Sequence, residues 1–265
     1  YIIGIDAGTS NVKAVLFDED GHEVRVASRE SETHGEGNHV EQDMDIVWEN
    51  VKACVKDVAG SAPVDKEDII GIGVTGQGEG CWLIDRDGNP VQSAILWCDG
   101  RAVNEVKKIT EDHPEVGELY HRTTGTPPLP GNQMMLLKWM KENRREVLDK
   151  AAKLIFCKDW IRYKMTGEVK AEITDSLTSL VDVKSGKIAL ELMEALDLHV
   201  EDGIWVQTDA LSLLQHPAEP LLGGPLHRQQ LFQHLPVVAI GQKVLQLAGL
   251  LTPAGSDMFV NELRQ

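Results

Sequence analysis

Three apolar runs near the N-terminus lie too close together to have helices between them, and this decides what kind of sheet can form. Residues 2–6 (IIGID), 13–17 (KAVLF) and 22–28 (HEVRVAS) each read as a short strand. Six residues separate the first two, and Asp18-Glu-Asp-Gly21 joins the last two. Asp-Gly is a hairpin signal, because glycine supplies the positive φ of a tight turn. A parallel crossover needs a dozen residues or more. The chain therefore opens on an antiparallel meander and not on a βαβ unit.

An amphipathic helix is predicted over 43–59. Val47, Val51, Cys54, Val55 and Val58 share one helical face. Glu41, Asp43 and Asp45 sit where the macrodipole favours negative charge, and Gly60 follows the end. Next come strands over 69–74 and 81–84, the turn Asp85-Arg-Asp-Gly88, and a short strand over 94–97. Helical patterns occupy 101–111, 133–143, 147–152, 158–166 and 187–197, with Gly167 as the C′ residue of the fourth. Strands followed by alternating helices and strands give an α/β layer fold with a mixed sheet.

The last quarter differs. Seven of the 62 residues from Ile204 onward are charged, against 61 of the 203 before them. Only 241–248 shows a helical pattern there. A break of this kind marks a boundary. We therefore read 1–198 as the domain and 199–265 as an atypical tail: the truncated, frame-shifted or divergent end of the same domain.

Composition narrows the function classes. With 265 residues, 42% hydrophobic and 26% charged, the chain has the material for a full core and is not disordered or collagen-like. A net charge of −16 repels nucleic-acid backbones and anionic membrane surfaces. No apolar run approaches the ~20 residues that span a bilayer, and the opening residues lack the basic stretch followed by an apolar one that is expected of a signal peptide. The four cysteines lack CxxC spacing and read as buried free thiols of a cytoplasmic protein. The nine histidines show no ligand spacing and read as surface or packing residues.

Four segments carry candidate chemistry. Asp6-Ala-Gly-Thr-Ser-Asn-Val-Lys13 turns between two predicted strands. Gly8 lets the backbone approach an anion, and Thr9 and Ser10 can aim amides and hydroxyls at phosphate oxygens. Asp6 can hold Mg²⁺ through water, and Lys13 can offset phosphate charge. The same residue types also make a simple hairpin turn. Thr75-Gly-Gln-Gly-Glu-Gly80 places Gln77, Gly78 and Glu79 at a strand end, where α/β sheets bind ligands, or forms a solvated glycine-rich loop. Trp97-Cys-Asp-Gly-Arg101 offers a ring face and two polar arms to a polyol, or an Asp99–Arg101 pair capping the following helix. Thr174-Asp-Ser176 is read as a turn before it is read as support for a cleft.

Together these residues resemble the FGGY carbohydrate kinases. The landmarks are Asp6–Ser10 with Lys13, Val40-Glu-Gln-Asp43, Ile72-Gly-Val-Thr-Gly-Gln77, Leu83–Gly88, Ala94–Ala102, Lys158–Gly167 and Thr174-Asp175. Their order matches over residues 1–198. The Gly-Gln-Gly-Glu-Gly-Cys-Trp-Leu-Ile-Asp stretch looks most like kinases of L-xylulose and erythritol. Common xylulokinases carry Met-His after the Gln, where this chain has Gly78-Glu79.

The resemblance implies a ribonuclease-H-like, actin-like ATPase domain with a mixed β-sheet and flanking helices. It implies ATP and Mg²⁺ as cofactors and phosphoryl transfer to a hydroxyl of a pentulose or small polyol. Asp6, Gly8, Thr9 and Ser10 then belong to the phosphate and Mg²⁺ side. Gln77, Gly78 and Glu79 belong to the sugar side, with Asp99 and Arg101 nearby. The family's general base is an Asp in a Gly-x-x-Asp stretch; its nearest echo is Asp257, although Ala248–Gly255 looks more like the segment before that base. A second, ATP-binding domain has no counterpart in these residues, so little or no turnover is expected of the chain alone. Two other readings stay open: a non-catalytic sugar-binding or regulatory remnant, and a homodimer formed through the apolar face an absent domain would leave.

Overall fold

The computed structural model describes residues 1–60, 64–199 and 237–239. Strands β1 (Ile2–Ala7), β2 (Asn11–Phe17) and β3 (Glu23–Glu30) form the expected meander, with Ile5 opposite Ala14 and Ala14 opposite Ala27. Asp18 closes its turn by accepting the amides of Asp20 and His22 on one carboxylate oxygen, while Gly21 takes φ +85°. Asp85 repeats the device with the amides of Asp87 and Asn89, and Gly88 takes φ +84°.

After a two-residue strand β4 (Glu41–Gln42), helix α1 (Met44–Ala59) carries the chain back to β5 (Gly71–Gly76), which pairs parallel to β1. A last short strand, β9 (Val237–Ala239), pairs antiparallel with β5, and the mixed sheet has the order β3-β2-β1-β5-β9. Helix α1 buries the five expected residues plus Met44 and Trp48 against β1, β2 and β3. Burial of each such aliphatic side chain contributes roughly 1.5–3 kcal/mol. Of the three acids assigned to its N-terminus, Asp43 is the N-cap, accepting the amides of Asp45 and Ile46, and Asp45 lies in the first turn. Glu41 does not serve the helix: it lies in β4 and turns to Arg101. Gly60 ends α1 at φ −86°, without the left-handed cap that Gly167 makes at φ +74°.

The remaining described elements are β6 (Trp82–Ile84), β7 (Ala94–Ile95), α2 (Val103–Lys107), α3 (Pro114–Thr124), α4 (Gln133–Asn143), α5 (Arg145–Leu148), β8 (Lys153–Ile155), α6 (Cys157–Thr166), α7 (Ile173–Ser179) and α8 (Leu190–Ala195). Two hydrophobic clusters result. One lies between the five-stranded sheet, α1 and α6, where the Trp160 indole donates to the Met44 carbonyl at 2.7 Å. The other gathers Leu83, Tyr120, Met134, Met140, Leu154 and Leu192 from β6, β8, α3, α4 and α8. Three expectations are corrected. The predicted 101–111 helix shortens to α2 and continues as one wide π turn over Lys108–Asp112. The 147–152 helix becomes α5, followed by β8, whose residues pair with β6. Thr174–Ser176 is not a turn but part of α7, whose N-cap Glu172 accepts the Thr174 amide on its carboxylate. Cys54, Cys81 and Cys157 are buried free thiols, whereas Cys98 is exposed. Among the described residues no helix is long and apolar enough to cross a membrane.

Candidate functional site

Parallel pairing of β1 and β5 brings Ala7 opposite Gly76, so the loops after these strands start side by side. The Gln77 amide continues the ladder, donating to the Ala7 carbonyl at 2.9 Å. A side chain on Gly76 would press on that carbonyl, at 3.0 Å, and on the buried Cys157 thiol, at 3.3 Å. The two strand ends therefore sit as close as backbone allows.

In the first loop, Asp6 and Lys13 are exposed register partners on one face of the β1–β2 pair. Gly8 donates its amide to the Asn11 carbonyl at 2.9 Å, closing the hairpin. Ser10 is exposed at the tip, and its carbonyl accepts the Ser31 amide. The Thr9 hydroxyl points inward, donating to Gln77 Oε1 at 3.3 Å and accepting from the Trp97 indole at 2.9 Å. Gln77 Nε2 donates to Gln42 Oε1 at 2.7 Å, and Gln42 Nε2 donates to the Thr9 carbonyl at 2.8 Å. Thr9, Gln77 and Gln42 thus form a closed ring of hydrogen bonds between the two loops, two between side chains and one to the Thr9 main chain. Trp97, 54% exposed, forms its rim.

The second loop is bent by two successive left-handed residues, Glu79 at φ +55° and Gly80 at φ +75°. Gly80 needs glycine: a Cβ there would lie 2.5 Å from the Ile95 carbonyl. The Ser179 hydroxyl donates to Glu79 Oε2 at 3.2 Å. Burial raises the Glu79 carboxyl above its ordinary range, and bonds from Thr178, Ser179, Asn132 and the Gln133 amide oppose that rise. Gly78 leaves room for Asp175, whose Oδ1 would lie 3.3 Å from a Cβ on Gly78. Asp175 and Glu172 both pair with Lys158, at 3.0 and 2.9 Å. Behind them the buried Asp159 accepts the Phe156 and Glu172 amides, yet burial pushes it up to about 7 against the pull of Arg162.

Asp99 and Arg101 form a separate, buried cluster. Both side chains are fully buried, with Arg101 Nε 2.8 Å from Asp99 Oδ1 and Nη2 2.6 Å from Glu41 Oε1. Asp99 also accepts the Val40 amide at 2.6 Å and the Arg101 amide at 2.8 Å. The Arg101 guanidinium stacks 5.1 Å above the Trp139 ring. The structure therefore sets Asp6, Thr9, Ser10 and Lys13, at and beside the β1–β2 turn, next to the loop of Gln77, Gly78 and Glu79, and holds Asp99 and Arg101 apart from them in a buried cluster. Asp257 and the predicted 241–248 helix lie outside the described residues. Sequence reasoning gave no role to Gln42, Ser179, Asn132 or Lys158. Gln42 had a signal, as a buried amide flanking the helix cap, but its partners lie far off in sequence. Among the described residues no group of His, Cys, Asp and Glu forms a metal-holding cluster.

Residues 1–204 match the N-terminal domain model of the FGGY family of carbohydrate kinases. The chain belongs to that family. It is 31% identical over 201 residues to a probable L-xylulose kinase of Pasteurella multocida, covering 75% of this chain and 41% of the relative. It is 30% identical over 217 residues to an erythritol kinase of Brucella abortus, covering 82% and 41%. The crystal structure of a gluconate kinase from Lactobacillus acidophilus superposes with a TM-score of 0.71 at 23% identity, over 78% of this chain and 41% of that one. That likeness establishes the fold, the actin-like ATPase fold of sugar kinases. This FGGY chain spans about two fifths of the length of the curated relatives it matches.

Proposed function

We propose that this FGGY domain is the sugar-binding half of an ATP-dependent kinase that phosphorylates a hydroxyl of a pentulose or small polyol. The observation that carries the reading is the juxtaposition of the Thr9 and Gln77 loops at the ends of two parallel strands. A polar ring beside an exposed indole suits a polyhydroxylated ligand. Glu79 accepts hydrogen bonds from sugar hydroxyls, and the Gly78 backbone lets the ligand close on the loop. On the other side Asp6 is an exposed carboxylate with Lys13 as its register neighbour, a donor set that fits a water-mediated Mg²⁺ and a phosphate. Gly8 spends its amide within the hairpin, so phosphate contact falls to Thr9 and Ser10 amides and to Lys13. ATP with Mg²⁺ would supply the transferable phosphoryl group. The protein's part is then positioning and charge stabilisation. Asp99 and Arg101, fully buried, brace the loops without touching ligand. Asp257 stands as the proposed acceptor of the hydroxyl proton.

We further propose that transfer needs an ATP-binding half like that of complete family members, so these 265 residues bind polyol without turnover. Calorimetric titration of the chain with L-xylulose and with erythritol tests the reading. Saturable binding, weakened at least ten-fold by Glu79→Ala, with no ADP released from ATP, is the expected result. Absence of binding to either would overturn the sugar-site assignment, and multiple turnover would overturn the requirement for a second half.

A further inference from the structure

We propose that Gln42 is a positioning residue that sets the separation of the two cleft loops. The inference rests on the reading above, that one loop faces phosphate and the other sugar. Gln42 is 1% exposed and belongs to neither loop. Its Nε2 holds the Thr9 carbonyl and its Oε1 holds Gln77 Nε2. One amide thus spans both loops at fixed length, and the Thr9–Gln77 bond closes the ring. Every donor in the ring points to the next member's acceptor, so losing Gln42 leaves a carbonyl and an amide nitrogen unpartnered.

Gln42 itself is fixed from two sides. Gln42 pairs with Ala94 and Glu41 with Ile95 in the β4–β7 ladder. The adjacent Glu41 is pinned by Arg101 at 2.6 Å, and the Val40 amide by Asp99. The chain from Val40 to Gln42 is therefore a short strut whose anchor lies in the ionic cluster and whose head lies in the cleft. In a phosphoryl transfer the acceptor hydroxyl and the phosphate must meet at near-contact distance, and small misplacements are costly. The strut fixes that distance from this half of the enzyme.

The test uses the full 265-residue chain and the Trp97 indole N–H as reporter, because that group bonds the ring at Thr9 but has no bond to Gln42. Its NMR resonance is assigned by its loss in Trp97→Phe. Gln42→Met keeps volume and removes both hydrogen bonds; a shift of the Trp97 indole resonance in the ligand-free protein is expected. Val55→Ala, a core change on α1 away from the ring, should leave it in place. Erythritol and L-xylulose affinity should fall at least ten-fold in Gln42→Met and not in Val55→Ala. If Gln42→Met does not fold, Gln42→Glu replaces it, since it keeps the acceptor for Gln77 and loses the donor to Thr9. An unmoved indole resonance, or affinity equal to wild type despite a moved one, overturns the proposal. If wild type binds neither sugar, the sugar-site reading fails by itself, and the indole shift still decides whether Gln42 holds the loops.

Discussion

Two consecutive residues of β4 brace the site in opposite ways. Glu41 reaches into an ionic cluster with Arg101 and Asp99, buried and stacked on Trp139. Gln42 reaches into an uncharged ring with Thr9 and Gln77. Alternation along a strand sends neighbours to opposite sides, so one short strand links the two. The Asp99–Arg101 pair is fully buried. The amide ring ties the Thr9 and Gln77 loops together without charge.

The sharpest way to break this contrast is Arg101→Met. It leaves the fully buried Asp99 carboxylate with only the amides of Val40 and residue 101, while Glu41, 14% exposed, keeps Arg144 at 3.6 Å. A loss of about 3–5 kcal/mol is expected from urea unfolding. Asp159 asks whether pairing or burial decides the fate of an enclosed charge, since Arg162 lies 3.3 Å from it and burial still wins. Below pH about 4 both folded and unfolded states hold its proton, and above about 7 neither does. Between these limits the folded state keeps a proton the unfolded chain has lost, so stability falls as pH rises. The ceiling is about 4 kcal/mol at about 1.4 kcal/mol per unit. Asp159→Asn should flatten that slope in urea midpoints measured at pH 4.5 and 7. Gln42→Met, on the neutral side, should cost about 1–3 kcal/mol, the penalty of one unpartnered carbonyl and one amide. Trp97→Phe removes a single bond at a half-exposed rim and should cost about 0.5–1 kcal/mol in the same assay. If Gln42→Met proved costlier than Arg101→Met, the assignment of bracing to the ionic cluster would be wrong.

What could be read from the residues was what has a period or a turn signature. The meander, α1 and α4 follow from apolar spacing, and both Asp-x-Asp-Gly turns from their chemistry. Helix α3 was missed because it buries only Tyr120 and two threonines, though Pro114 at its first turn is a start signal. Helix α7 is short and rich in Ser and Thr, which favour turns in isolation; burial of Ser176 and Ser179 makes it helical. The site residues lie in loops whose glycines stood out. The ring joining them did not, because bonds spanning 33 to 68 positions leave no local pattern.

The wall that α6 contributes to the main cluster has a consequence during synthesis. The sheet strands β1, β2, β3 and β5 and helix α1 emerge from the ribosome well before Cys157, Trp160 and Ile161, which pack on them. At roughly 5–20 residues per second the nascent sheet waits roughly 4–17 s for its missing wall. During that interval the surface that will enclose Cys157 beneath the Ala7 carbonyl is open to chaperones and to neighbouring nascent chains.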